Sequence, residues 1–395
     1  MKKLDIKKLI EISKKVIESG SLENGAIVAA DSDKAIYPLN VQNYRYVWIR
    51  DAAYVCMAAD LLKLKDIPER FFDWCLHRAE DFRQTGLFSN AYNVNGTIHG
   101  TLIPNDEVKV TDKTKGKYIK LIHYGTQFQP DQNGSLLIAV SHHIRHFGGD
   151  VSMFKQLIEK TALGICRSWK GSKFTLPCFD LWEERCILPK QSRYHIYSLA
   201  MCVAGLKAAA GLLGKSSRWQ RTQKEMSEIL KQACSCSSNH IPRTYNKSRT
   251  ALSYNTTKED TLPDTSLLGL VYPSQILQPS DESMKRTVQA IIRSNTTKDG
   301  CLLRYQDDKY CGGVRNGWVT LTGAGPWPLL SFWMSIYFSL ANDKQNAAKY
   351  FKWPLQKINE YIPEQIFTGK TKSSVTPLLW SHAMFIIAAK FLGHI

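Results

Sequence analysis

The sequence predicts an all-α fold, an (α/α)6 barrel in which six antiparallel helical hairpins close into a ring. Three observations carry that expectation. Apolar residues recur with helical periodicity along the 395 residues. Short and long connections alternate: each even helix passes to the next through roughly one to eight residues, each odd helix through about 15 to 47. The clusters with unusual chemistry lie in or beside the long connections, which a ring of hairpins gathers at one end.

The elements follow from local signals. A first helix is expected at roughly 3–18, where Met1-Lys2-Lys3-Leu4-Asp5-Ile6 is basic and amphipathic and unlike an apolar leader. The second and third, roughly 51–65 and 68–84, are separated just before Pro68, which suits a first helical turn. The fourth, roughly 132–146, stops at Gly148-Gly149, and Asp150 caps the fifth, roughly 150–169. The sixth, roughly 192–213, stops at Gly214, and Ser216-Ser217 caps the seventh, roughly 216–236. Asp264-Thr265 caps the eighth, roughly 265–271, and Pro279-Ser280 opens the ninth, roughly 280–294. Asn342-Asp343 parts the tenth, roughly 326–341, from the eleventh, roughly 343–360. The twelfth runs over roughly 376–392. Short strands are expected at 25–30 and 118–122. No Pro-, Gly- or Ser-rich linker divides the chain, so residues 1–395 read as a single domain.

Composition limits the function classes. At 44% hydrophobic and 22% charged residues the chain is globular with ample core. No stretch is expected to approach the ~18 apolar residues of a membrane span. Cys56, Cys75, Cys166 and Cys202 sit in apolar helical contexts, and Cys234 and Cys236 form the single close pair. That is no zinc signature, and it points to a reduced, cytoplasmic protein. The net charge of +17 favours anionic partners, but Lys and Arg are dispersed and no nucleic-acid signature is present. Neither nucleic acid nor membrane is an expected partner, and the sequence carries no indication of oligomeric state. His142 and His146 stand at a spacing that can ligate metal. They also precede a Gly-Gly helix end, where histidines complement the helix dipole. No metal and no nucleotide cofactor are expected.

The densest chemistry is Asp180-Leu181-Trp182-Glu183-Glu184-Arg185. Three carboxylates beside an indole suit a sugar site, where a ring stacks on the pyranose and carboxylates work on its oxygens. An acidic helix start facing water is the plainer alternative. Three further clusters decide between them: Tyr46-Val47-Trp48-Ile49-Arg50-Asp51-Ala52-Ala53, Pro363-Glu364-Gln365 and Pro377-Leu378-Leu379-Trp380-Ser381-His382-Ala383. These motifs, in this order and each before or at the start of an even helix, resemble the glucoamylase family of glycoside hydrolases, family fifteen. The resemblance runs from about Gly25 to the C-terminus. It implies an (α/α)6 barrel and cleavage of α-glucosidic bonds at the non-reducing end with inversion, the substrate being an oligosaccharide or polysaccharide. Prokaryotic members commonly carry a β-rich domain ahead of the barrel, whereas the first expected helix here lies near Met1.

The resemblance implies Glu183 as general acid and Glu364 as general base. Trp182 would give Glu183 apolar surroundings. Glu184 would accept from a sugar hydroxyl or pair with Arg185, with Asp180 in support. Arg50 and Asp51 would floor the pocket, a role compatible with an ion pair at a helix N-terminus. Arg304 resembles the family arginine that meets sugar near the cleaved bond. Tyr46, Trp48, Trp182, Trp318 and Trp327 are candidate stacking walls, and His382 is expected in the core or at the surface. The expected activity is exo-acting release of glucose from α-glucans. Trehalose hydrolysis and a non-catalytic glucan-binding or regulatory barrel are the alternatives.

Overall fold

The structure is a computed structural model, and it describes residues 5–99, 107–112, 117–122, 128–214, 216–235, 239–246, 261–315, 318–319, 322–367 and 372–395. For 107–112, 117–122, 315 and 318–319 it describes backbone alone.

The inner wall is a closed circuit. Helix α2 (Ile49–Leu61) packs on α5 (Pro130–Phe147), which packs on α7 (Ile196–Leu213). Next come the 3₁₀ segment Thr265–Leu270, α10 (Pro328–Leu340) and α12 (Leu379–Phe391), and α12 returns to α2. These segments are buried on almost every face, as elements surrounded by protein must be. The outer layer is amphipathic. It comprises α1 (Ile6–Gly20), α3 (Asp66–His77), the single turn α4 (Phe82–Thr85), α6 (Lys155–Ser168), α8 (Ser217–Ser235), α9 (Glu282–Asn295) and α11 (Lys344–Leu355). α1 bridges α12 and α2, while α11 bridges α10 and α12, so the first and last hairpins interlock.

Close packing inside the ring depends on Gly134. A Cβ there would lie 2.3 Å from the Met201 carbonyl oxygen, so α5 and α7 touch backbone to backbone. Gly205 faces the same crossing, where a Cβ would lie 2.8 Å from the Gly134 Cα.

The (α/α)6 expectation holds, with local corrections. The expected helix at 265–271 is 3₁₀, capped by Asp264 through the Ser266 N–H. The expected third helix breaks after His77 and resumes as the single turn α4. The expected strand at 25–30 reduces to one bridge, Ser21 to Ile27, plus hydrogen bonds from Ala29 and Ala30 to the 44–46 segment. The strand at 118–122 is present as Lys117–Ile122, antiparallel to Glu107–Asp112. Contrary to the composition reading, α7 is long and apolar enough to match a membrane span, but it is mostly buried inside the ring. Cys56, Cys75, Cys166 and Cys202 are buried, and Cys236 lies outside the described residues. His142 and His143 both bond through Nδ1 to the buried Asp60 carboxylate, at 2.6 and 2.7 Å.

Candidate active site

The N-terminal ends of the inner elements meet at one mouth. The loops feeding α2, α5, α7, the 3₁₀ segment, α10 and α12 bring the sequence-separated motifs there.

Glu183 projects from a tight turn built by Asp180. The Asp180 carbonyl accepts from Glu183 N–H at 3.0 Å, and its Oδ1 accepts from the N–H groups of Glu184 and Arg185 at 2.9 and 3.1 Å. Its Oδ2 takes Arg185 Nη1 at 2.8 Å. Burial alone would raise the Asp180 pKa, but Arg185, His195 and the two N–H groups outweigh it and hold it below the ordinary value. Asp180 is therefore a brace for the turn, with its carboxylate engaged internally. The turn places Glu183 at φ +63°, a left-handed conformation that costs a residue with a Cβ about 1–2 kcal/mol. Such strain persists where surrounding contacts over-determine it, which is common at functional sites.

The Glu183 carboxylate accepts from Trp48 Nε1 at 2.8 Å and from Asn90 Nδ2 at 3.1 Å, with Arg50 Nη2 at 3.8 Å. The indole beside it is thus Trp48. Trp182, expected there, instead donates to Asp264 at 3.1 Å and lies 5.2 Å beneath the Arg304 guanidinium. Its side chain is drawn away by a buried carboxylate that caps the 3₁₀ segment.

Glu364 is 2% exposed and is pinned on both sides. Its N–H bonds to the Val375 carbonyl at 2.8 Å, and Gln365 Oε1 takes Gly325 N–H at 2.8 Å. Tyr44 donates to Glu364 Oε1 at 3.0 Å and is itself hydrogen-bonded to Tyr310. Burial pushes the Glu364 pKa up to about 7, opposed by the Tyr44 hydrogen bond, the Arg304 charge and Gln365. Tyr44 and Tyr310 both feel the charges of Glu183 and Glu364, and the Tyr44 and Trp48 rings stand 5.3 Å apart. The two carboxylates therefore share one site, spanned by Trp48 and Tyr44. At Gly312, φ +65°, a Cβ would stand 2.8 Å from Glu364 Oε2.

Arg50 is 3% exposed and donates to Gln129 at 2.7 Å and to Asp131 at 3.0 Å. Asp51 Oδ2 lies 3.5 Å from Arg50 Nε, and neither atom has a hydrogen-bond partner among the described residues. Burial lifts Asp51 to about 7, with Arg50 opposing and Glu183 adding to the rise. A buried acceptor and donor left unmatched on neighbouring atoms suit hydroxyl groups of a polyol ligand.

Glu184 accepts from Arg304 at 2.7 Å and from Tyr305, and the pairing with Arg185 is present at 3.3 Å. Arg304 also forms a two-pronged pair with Asp308, both bonds 2.7 Å, over the rings of Tyr310 and Trp327 at 5.0 and 5.2 Å. Trp327 is buried, and its Nε1 has no partner among the described residues. Tyr46 stacks on His99 with centroids 3.5 Å apart and meets Trp48 edge-on. The Trp318 side chain lies outside the described residues. His382 is fully buried, bonding Ser13 at 2.9 Å and accepting from Ile362 N–H at 3.0 Å.

The sequence motifs gave no role to Tyr44, Asn90, Gln129, Asp131 or Tyr310. Gln129-Pro130-Asp131 is a polar cluster at a helix start, a signal that could have found the pair. Nothing local singles out Asn90 or Tyr310.

Paired carboxylates, a buried Arg–Asp pair and indoles at the mouth of a helical ring make the chemistry of a carbohydrate-cleaving site. Residues 10–390 match the model for glycosyl hydrolases family 15, and the chain belongs to that family. An uncharacterized glycosyl hydrolase of Methanocaldococcus jannaschii is 30% identical over 385 residues, covering 92% of this chain. The chain spans 52% of that relative's length. An isomaltose glucohydrolase of Kribbella flavida is 23% identical, covering 88% of this chain and 85% of its own. A single-substitution variant of a glycosidase, solved in complex with glucose, superposes with a TM-score of 0.74 at 19% identity, covering 99% of each chain. That structure attests the fold.

Proposed function

We propose that this chain is an exo-acting α-glucoside hydrolase that releases glucose from the non-reducing end with inversion. The observation that carries it is the joining of Glu183 and Glu364, about 180 residues apart, in one site through Trp48 and Tyr44. In this reading Glu183 gives its proton to the glycosidic oxygen as the bond from that oxygen to the anomeric carbon breaks. Glu364 removes a proton from water as the water oxygen bonds that carbon from the opposite face, leaving β-glucose. A base near pH 7 in basicity suits this step, and burial gives Glu364 that character. Arg50 and Asp51 bind hydroxyls of the terminal sugar, and Arg304 with Glu184 holds the leaving sugar.

Kinship to an isomaltose glucohydrolase supports a short α-glucoside as substrate. Free, mostly buried cysteines support a cytoplasmic location. The test is glucose release from maltooligosaccharides, isomaltose and trehalose, with proton NMR of the fresh product. β-Glucose is expected from one or more of these, and Glu183→Gln is expected to lower turnover by about 10²–10⁴-fold. Release of the non-reducing-end glucose as the α anomer from a maltooligosaccharide, two α-glucoses from trehalose, or full activity in Glu183→Gln, would refute the assignment.

A further inference from the structure

Asn90 sits at the end of a hydrogen-bond relay whose direction is set at the far end. The Arg50 guanidinium is permanently charged and donates only. Gln129 must therefore turn its Oε1 toward Arg50 Nη1, at 2.7 Å. Its amide nitrogen then faces Asn90 and donates to Oδ1 at 2.6 Å. That leaves Asn90 only its own amide nitrogen to offer Glu183 Oε2, at 3.1 Å. Gln132 fixes the rest: its Oε1 takes the Arg50 N–H at 3.2 Å, and its nitrogen holds the Ser89 and Asn90 carbonyls at 3.0 and 2.9 Å. Neither amide can flip without setting donor against donor at Arg50 or at Glu183's neighbour.

Trp48 Nε1 on the other oxygen is also donor-only. Arg50 Nη2, 3.8 Å away, is the same. Among the described residues, every side chain hydrogen-bonded or ion-paired to the Glu183 carboxylate is thus a donor, and both oxygens are engaged.

We propose that Asn90 is a positioning residue for Glu183. The relay from Arg50 makes Asn90 a fixed donor, so the proton of the neutral acid finds no acceptor among these partners and points to the oxygen of the bond being cleaved. This rests on Glu183 being the acid. The charged and titratable groups facing Glu183 are Arg50 and Asp51 from α2, Tyr44 from the segment before α2, and Tyr310 from the loop after Arg304. All are left in place by a change at position 90.

Asn90→Asp keeps the shape and replaces the donor by an acceptor. It is expected to lower kcat on the natural α-glucoside by at least about tenfold. Turnover of α-glucosyl fluoride, whose leaving group needs no proton, should change less than about threefold. The basic limb of kcat/KM should move upward by about one pH unit, because the new carboxylate disfavours loss of the Glu183 proton. Asn90→Ala, with the same readouts, serves if the Asp variant does not fold. It should show the same split between substrates and a smaller displacement of the limb. Equal losses on both substrates, or an unmoved basic limb, would overturn the proposal. Glu183→Gln run alongside separates the two claims: if it does not spare the fluoride relative to the glucoside, the acid assignment itself falls, whatever Asn90 does.

Discussion

At the residue scale, the burial of Glu364 has a measurable thermodynamic sign. Its folded pKa of about 7 lies above the ordinary 4.5 of an exposed glutamate. The native state therefore binds this proton more tightly than the unfolded state does. The resulting stabilisation is complete below pH 4.5 and is lost as pH rises through about 7. Glu364→Gln removes the ionisation, so the variant should be more stable than the parent at pH 8 by about 3 kcal/mol, and equal to it at pH 4. Urea midpoints at the two pH values read this directly, and a constant offset would contradict it. The residues of the site were legible where chemistry is concentrated in short motifs. Glu183, Arg50, Asp51 and Glu364 all stood out that way. Asn90 and Tyr310 were invisible because each is an ordinary polar residue that acquires meaning only through a neighbour dozens to hundreds of positions away. Trp182 misled for the same reason: adjacency in sequence favoured it over Trp48, while Asp264, 82 positions on, claims its N–H.

At the element scale, the helices were legible because inner and outer members differ in kind. The inner ones are apolar all round and the outer ones carry one apolar stripe. The 3₁₀ form of 265–270 was not legible, since a segment of only six residues, Thr265-Ser266-Leu267-Leu268-Gly269-Leu270, fits either helix type. Nor was the approach of α5 to α7 at Gly134, where periodicity is silent about distance. Gly134→Ala would drive a methyl against the Met201 carbonyl at 2.3 Å. The helices must part to admit it, and a loss of about 3 kcal/mol in chemical unfolding is expected. An unchanged midpoint would mean that the crossing is looser than described.

At the scale of the whole molecule, the ring is closed by contacts between its first and last helices, and His382 lies in that seam. It bonds Ser13 of α1 and the Ile362 backbone, and burial lowers its pKa from 6.5 to about 3. The stability this neutral side chain gives is complete above pH 6.5 and drains away as pH falls toward 3, at about 1.4 kcal/mol per pH unit. His382→Gln should remove one proton's worth of that slope between pH 6 and 4, and an unaltered slope in paired urea titrations would exclude it. One sector of the wall differs from the others. Thr265–Leu270 rises only about 12 Å, against about 27 Å for the 18 residues of α7. Tyr197 and Trp333 crowd the Gly269 face, and Trp333 donates to the Tyr272 carbonyl at 2.6 Å. The missing height is thus filled by aromatic plates, like a cask with one short board made good by wedges. This sector of the toroid is therefore braced by side-chain packing where its neighbours are braced by helix backbone, and its aromatic plates carry the continuity of the wall.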